Sequence, residues 1–230
     1  MGMKTGALFS IVLLLSLTNA YSVDITEKEV ELFTRAEYNR GFNNYGTISI
    51  AGGIELNNLI KFKSGFSLGL SLGDPDFNTF ADIRYSPFKK IPLKFSLMYI
   101  YNGIPEYDTN THALVPMILL SGKIAGLSIG SNFRFTSFFG EKPQFESILT
   151  FSGYLNFINN DKLSIGINAG NYDEFHAKNM GALSVSLNVL IRFGKNWTVI
   201  NSLEYMQSGV DGFTATFYGV AWRGGAKFSW

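Results

Sequence analysis

The sequence predicts an all-β fold, a single closed antiparallel up-and-down barrel that spans a membrane with twelve strands, ten being the alternative count. Three observations predict it. Apolar residues recur at every second position in segments of about ten residues, the length a tilted strand needs to cross the hydrocarbon layer. The intervening positions are mostly Gly, Ser, Thr and Asn with isolated charges, whereas the outer face of a soluble sandwich meets water and is well charged. Finally, no segment after the first twenty residues approaches a spanning helix, so the backbone must satisfy itself between strands and the sheet must close.

Composition agrees. Aromatic residues make up 15% of the chain, Gly numbers 24 and charged residues are only 16%, against about 25% in a typical globular domain. The formal charge of +1 gives no basis for a nucleic-acid partner, which would need a basic surface. The absence of cysteine excludes a disulfide framework, a thiolate metal site and a thiol nucleophile. No metal or other cofactor is implied.

Residues 1–20 have the features of a cleaved export signal. Lys4 supplies a positive n-region, Ala7–Leu17 an apolar run, and Thr18-Asn19-Ala20 small residues at the cleavage position. That run is too short to span a bilayer as a helix. Residues 21–230 are then one barrel domain.

Taken in order, the first strand is expected near Glu29–Tyr38, where Glu29, Glu31, Arg35 and Glu37 make the pattern weak. Ile48, Ile50, Ile54 and Leu56 form the next stripe, followed by Phe66, Leu68, Leu70 and Leu72. A weaker strand falls near Thr79–Ser86. Ile91, Leu93, Phe95, Leu97, Tyr99 and Tyr101 form a clear stripe, and a second weak strand near His112–Leu120 contains Pro116. Ala125–Ser137 alternates most regularly, with Leu127, Ile129, Phe133 and Phe135 against Ser128, Gly130, Asn132 and Arg134. Leu149, Phe151, Leu155 and Phe157 come next, then Leu163–Ala169, Leu183–Phe193 and Trp197–Tyr205. In a barrel the stripes face lipid and the small or charged rows face the lumen.

Short turn-like segments at Asn57-Asn58, Pro87–Lys90, Ser121-Gly122, Asn159–Asp161 and Gly194–Asn196 alternate with longer ones at Asn39–Gly46, Gly73–Asn78, Asn102–Thr111, Phe139–Pro143, Tyr172–Gly181 and Met206–Gly212. Lys61, Lys63, Lys89, Lys90, Lys123, Lys162 and Lys195 fall at the short-turn end. Asp74, Asp76, Glu106, Asp108, Asp173, Glu174 and Asp211 fall in the longer loops. Ordinary solvated turns account for this; an acidic rim that attracts cations is the sharper alternative.

The C-terminal stretch Tyr218–Trp230 fixes the class. Trp222, Phe228 and the terminal Trp230 lie on one face, and Arg223, Lys227 and Ser229 on the other. This stretch resembles the closing strand of bacterial outer-membrane β-barrels, porin-like in class, without pointing to a particular family. The resemblance implies that Trp222, Phe228 and Trp230 form the assembly signal read by the barrel assembly machinery. It also implies an outer-membrane location among outer-membrane lipids, with both termini and the short turns periplasmic.

Candidate chemistry is sparse. Gly65–Gly69 and Gly126–Gly130 match G-x-S-x-G, but a nucleophile elbow needs a strand-to-helix turn, and both matches lie inside alternating strands. Of the two histidines, His112 is a candidate base for an outer-leaflet lipid hydrolase, with Ser121 nearby in sequence; His176 lies in a loop. The remaining constellation is the lumen row: Glu55, Asp82, Arg84, Lys94, Arg134, Glu146, Arg192, Glu204, Arg223 and Lys227, with Glu31, Arg35 and Glu37 from the first strand. These charges either pair to fill the interior or line a constriction that selects solutes. The leading expectation is a narrow passive channel for small hydrophilic solutes, and not an enzyme. A closed barrel with a structural or surface-interaction role, and the His112 hydrolase, are the alternatives.

Overall fold

The computed structural model describes residues 24–39, 45–69, 77–88, 91–104, 109–138, 140–171, 183–208 and 216–230. They form a closed antiparallel barrel of twelve strands, each paired with its neighbours in sequence, with the first strand also pairing with the last. The strands are β1 Ile25–Asn39, β2 Tyr45–Leu56, β3 Ile60–Gly69, β4 Phe77–Tyr85, β5 Leu93–Ile104 and β6 Thr109–Ser121. They continue with β7 Ala125–Ser137, β8 Gln144–Asn159, β9 Leu163–Gly170, β10 Leu183–Phe193, β11 Trp197–Ser208 and β12 Thr216–Ser229. The even count places both ends of the described chain at one mouth of the barrel, together with the short turns.

Closure is made by backbone pairing from Glu29↔Ser229 to Asn39↔Gly219. Beyond it, Trp230 and Lys28 exchange N–H···O bonds of 2.9 Å in both directions. The last residue of the chain is therefore part of the closing ladder, so no edge is left for lipid to meet.

Side-chain direction follows the pairing register. Leu32, Ile50, Leu68, Ile83, Leu97, Leu114, Ile129, Leu149, Ile167, Leu187 and Leu203 are exposed on the outer wall. Aromatic residues gather toward both rims. Tyr85, Phe88, Phe157, Phe193, Trp197 and Trp230 are exposed near the short turns, and Tyr38, Phe66, Tyr99, Phe135 and Phe145 near the opposite mouth. An apolar band flanked by two aromatic girdles is the exterior of a membrane-spanning barrel. Phe228 packs at a tilt against Trp197 (centroids 4.8 Å apart) and stacks on Trp230 (5.4 Å), and the Trp222 indole N–H donates to Asn201 Oδ1 at 2.9 Å, satisfying a polar group on the outer wall.

The turns at Asn57-Asn58, Ser121-Gly122, Asn159–Asp161 and Gly194–Asn196 lie at strand junctions as the sequence suggests, while Pro87–Lys90 falls partly outside the described residues and β5 starts at Leu93, after Ile91. Asn57 and Asn58 adopt φ of 53° and 52°, the left-handed pair that a tight hairpin turn requires and that Asn tolerates best after Gly. The connection expected over Asn102–Thr111 is shorter than the sequence suggests. β5 runs on to Ile104 and β6 begins at Thr109, so Asn102–Ile104 and Thr109–Thr111 are strand and not loop. Asn102 and Thr111 are buried inward-facing residues, and inward polar residues continue a strand of this fold without any break in its alternation. For the same reason β1, read as weak because of its charges, extends over Ile25–Asn39, and its glutamates face inward and are buried.

Pro116 leaves a local mark. The β6–β7 ladder pairs Leu114 with Phe133 and resumes at Met117 with Gly130, as expected where a proline removes a ladder N–H. On the outer wall this gap opens a hollow of about 540 Å³ lined by Phe95, Pro116, Ile118, Ile129, Phe133 and Leu149.

Candidate functional site: the barrel lumen

The lumen is built from the inward row of every strand. All nine charged residues expected there, Glu55, Asp82, Arg84, Lys94, Arg134, Glu146, Arg192, Glu204 and Arg223, lie on the inner side by register, as do Lys227, Glu31, Arg35 and Glu37. They do not form one ring. Toward the mouth that carries the termini lie Glu55, Asp82, Arg84, Lys94, Arg192 and Lys227. Toward the opposite mouth lie Arg35, Glu37, Glu204, Arg134 and Glu146, with Arg223 opposite Arg35 in register.

The group near the termini is a compact ion-pair network. Glu29, 3% exposed, accepts from Lys61 at 2.7 Å and from Lys227. Glu31 meets Lys63 at 2.7 Å and Lys227 at 3.7 Å. Lys227 thus bridges both carboxylates across the β1–β12 seam. Asp82 accepts from Arg84 at 2.5 Å and Ser96 at 2.6 Å. Lys61 and Lys63, expected as solvated end residues, instead point inward. They alternate with Phe62 along β3 and fall in register with Glu55 and Gly53, which brings them onto the β1 glutamates. Lys123, Lys162 and Lys195 do lie in the short turns. Lys89, Lys90, the acidic loop residues and His176 lie outside the described residues.

At the other level Arg35 contacts Glu37 at 3.0 Å and Glu204 at 3.1 Å, and one of its nitrogens lies 3.3 Å from Met206 Sδ. Arg134 and Glu146 are 3.6 Å apart; back at the mouth that carries the termini, Arg192 donates to the Asn160 carbonyl at 2.7 Å. A buried charge survives only when paired, and Arg35 between Glu37 and Glu204 meets that condition, whereas Glu146 is half-exposed.

Between the two charged levels the lumen is partly apolar, contrary to the expectation of a wholly polar row. Phe33, Ala51, Phe80, Met98, Ile100, Ala113, Val115 and Met117 form one buried cluster, with Leu119 and Ile200 against it. Most of it belongs to β4–β6. The facing wall, β10–β12, carries the partly buried Ser184, Ser186, Asn188, Thr198, Glu204 and Arg223, beside the buried Ser202, Met206 and Ala221. Strands β5 and β11 stand diametrically opposed in the twelve-strand order, so the apolar cluster fills one side of the lumen and the opposite side is mainly polar.

Glycines explain how large inward side chains fit. A Cβ on Gly65 would sit 2.7 Å from the Phe80 ring, one on Gly225 2.3 Å from Phe33, one on Gly126 2.2 Å from Tyr154, and one on Gly130 2.6 Å from Met117. Each bulky residue lies over a glycine of the neighbouring strand, flat against the wall instead of across the axis. This accounts for the G-x-S-x-G matches: Gly65, Gly126 and Gly130 are seats for rings and thioethers, inside continuous strands β3 and β7. Tyr154 is further tied by its hydroxyl to the Gly122 carbonyl at 2.7 Å. Ser128 shares a 2.7 Å bond with the Ser152 hydroxyl, and among the described residues no helix follows the motif serines Ser67 and Ser128.

His112 lies outside the lumen, on the outer wall near the mouth opposite the termini. Its Nδ1 is 2.7 Å from the Tyr99 hydroxyl, and Tyr101 packs on its ring at 5.2 Å. Ser121 stands at the opposite end of β6, so that serine cannot partner His112.

No protein-family model matches the chain, and no curated protein matches it by sequence. Solved structures do match in fold. A KdgM porin superposes with a TM-score of 0.54 at 11% identity, over 87% of this chain and 99% of that one. A NanC porin gives 0.57 at 9%, over 86% and 98%. The translocator domain of the autotransporter NalP from Neisseria meningitidis gives 0.54 at 15%, over 96% and 95%. The fold is thus that of outer-membrane porins and related barrels. Such folds host different tasks, so function is argued from the lumen.

Proposed function

We propose that the protein is an outer-membrane channel that passes small hydrophilic solutes passively through a narrow, one-sided lumen, with its termini and short turns in the periplasm. The observation that carries this reading is the mainly polar, partly buried inner face of β10–β12 opposite the apolar cluster of β4–β6. Large inward residues fold onto glycines, which keeps the axis clear beside that wall. Charged levels at both ends, Glu55–Asp82–Arg84–Lys94–Arg192 and Arg134–Glu146–Glu204–Arg223, act as entrance filters, since charges in a low-dielectric passage bias which ions enter. The C-terminal residues Trp222, Phe228 and Trp230 serve as the signal for the assembly machinery, and residues 1–20 as the export signal. The porin-like neighbours support a channel in general terms and leave the solute open.

Liposome swelling tests the proposal. Vesicles carrying the refolded protein should swell in isosmotic small polyols and amino acids, faster for smaller solutes, without an energy source. Vesicles that behave like protein-free controls while the barrel is folded would favour a closed barrel.

A further inference from the structure

Resting on the channel reading, we infer that the inner wall of β2–β5 holds an uncharged binding site for a hydroxyl-rich neutral solute, such as a sugar or polyol, near the mouth opposite the termini. Ser49, Ser67, Asn78 and Asn102 stand side by side in register across four strands, with Thr47 one inward position beyond Ser49. All five are at least nine-tenths buried: Thr47 2% exposed, Ser49 4%, Ser67 0%, Asn78 2% and Asn102 2%.

Their bonding is incomplete. Asn102 Nδ2 donates to Asn78 Oδ1 at 2.6 Å, which orients the Asn78 amide, yet Asn78 Nδ2, Ser67 Oγ and Thr47 Oγ1 have no partner among the described residues. Unsatisfied buried polar groups cost free energy and are rare in folded proteins unless water or a ligand completes them. Here three such groups sit on the inner face of three adjacent strands, β2, β3 and β4.

The chemistry of the set selects the ligand. Serine and threonine hydroxyls give or take a proton, and an amide nitrogen gives two. Donors and acceptors intermixed suit a solute hydroxyl, which also does both. None of the five is charged. The adjacent cation, Arg35, whose Cα pairs with that of Thr47, is already engaged by Glu37 and Glu204. An anion would therefore find no dedicated charge at this site.

The test is single-channel recording in a planar bilayer with the full mature chain, titrating sucrose against a viscosity-matched dextran solution. Sucrose should reduce the ionic current beyond the dextran control and saturably. Ser67→Ala and Asn78→Ala should each raise the half-blocking concentration about three- to tenfold, the loss of one neutral hydrogen bond or two, while sucrose-free conductance is kept. Unboiled-gel mobility verifies that each variant is folded, and either variant alone suffices. Current that falls no further in sucrose than in dextran would overturn the site and leave the channel standing, meaning that water alone completes the orphaned groups. Stronger block by gluconate than by sucrose would also overturn it, because the site would then read charge. A folded barrel with no current would overturn the channel reading and this inference together.

Discussion

The two facing walls of the lumen differ although both belong to one barrel with one alternation rule. On β4–β6 the inward row includes Phe80, Met98, Ile100, Ala113, Val115 and Met117, all buried. On β10–β12 it is mainly polar and only partly buried, with Ser184, Ser186, Asn188, Thr198 and Arg223, Met206 and Ala221 being its buried apolar members among the described residues. The outer faces of the two regions are alike: Ile83, Leu97, Leu114 and Ile118 on one side, Val185, Leu187, Val199 and Leu203 on the other are all exposed. Lipid imposes the outer pattern on every strand, because any polar or charged group there meets hydrocarbon. The inner pattern is free to vary. One wall uses that freedom to build a soluble-like core that stiffens the barrel, and the other leaves room beside it.

The largest effect separates outer from inner faces. Leu127→Arg or Ile129→Arg, on exposed outer positions of β7, should cost about 2–4 kcal/mol of barrel stability near the bilayer midplane. Ser128→Arg, between them and facing the lumen, should cost clearly less. Denaturant titration into lipid vesicles measures both, and equal penalties would break the assignment of faces.

Next in size is the ion network on the β1–β12 seam. Glu29→Ala leaves Lys61 and Lys227 without their shared carboxylate. It should cost about 1.5–3 kcal/mol, the range for hydrogen bonds to charged groups. The loss should show as a lower unfolding midpoint. A midpoint within error of the parent would mean that water replaces the network at no cost.

A further prediction sharpens the view of glycines as seats. Gly126→Ala places a methyl within 2.2 Å of the Tyr154 ring, and overpacking of that kind costs about 1–3 kcal/mol. Tyr154→Ala should remove most of the penalty in the double variant, a coupling readable from a thermodynamic cycle. Additive effects would contradict the seating of Tyr154 on Gly126.

The smallest effect concerns the charged levels. Arg134→Ala or Glu146→Ala, a partly solvated pair 3.6 Å apart, should leave stability within about 1 kcal/mol while shifting cation-to-anion preference in opposite directions. Reversal potentials across a salt gradient report it, and unchanged selectivity in both would remove this level from the filter.

Much of the fold was legible in the sequence because lipid forces it. Twelve stripes, even closure and the aromatic terminus all follow from keeping backbone and polar groups out of hydrocarbon. The interior was less legible. Met98 and Ile100 alternate with Leu97, Tyr99 and Tyr101, and Val115 and Met117 with Leu114 and Ile118, so both faces of β5 and β6 are apolar and the period-two signal fades. That fading marked a packed inner wall. The phase of Phe62, Phe66 and Leu68 already placed Lys61 and Lys63 inward, a signal masked by their nearness to the Asn57-Asn58 turn. The seating of rings on glycines depends on register between strands, which a single chain does not encode locally. The same is true of the orphaned hydroxyls and amides that converge on β2–β4.

The most direct test of a one-sided lumen uses the absence of native cysteine. Single cysteines at Ser186 or Asn188 on the accessible wall, and at Ile100 or Val115 on the packed wall, would be treated with a charged thiol reagent during single-channel recording. A one-sided lumen gives a stepwise change in conductance for Ser186→Cys and Asn188→Cys, and slow or absent reaction for Ile100→Cys and Val115→Cys. Equal reactivity on both walls, or modification of Ser186→Cys that leaves the current untouched, would contradict it.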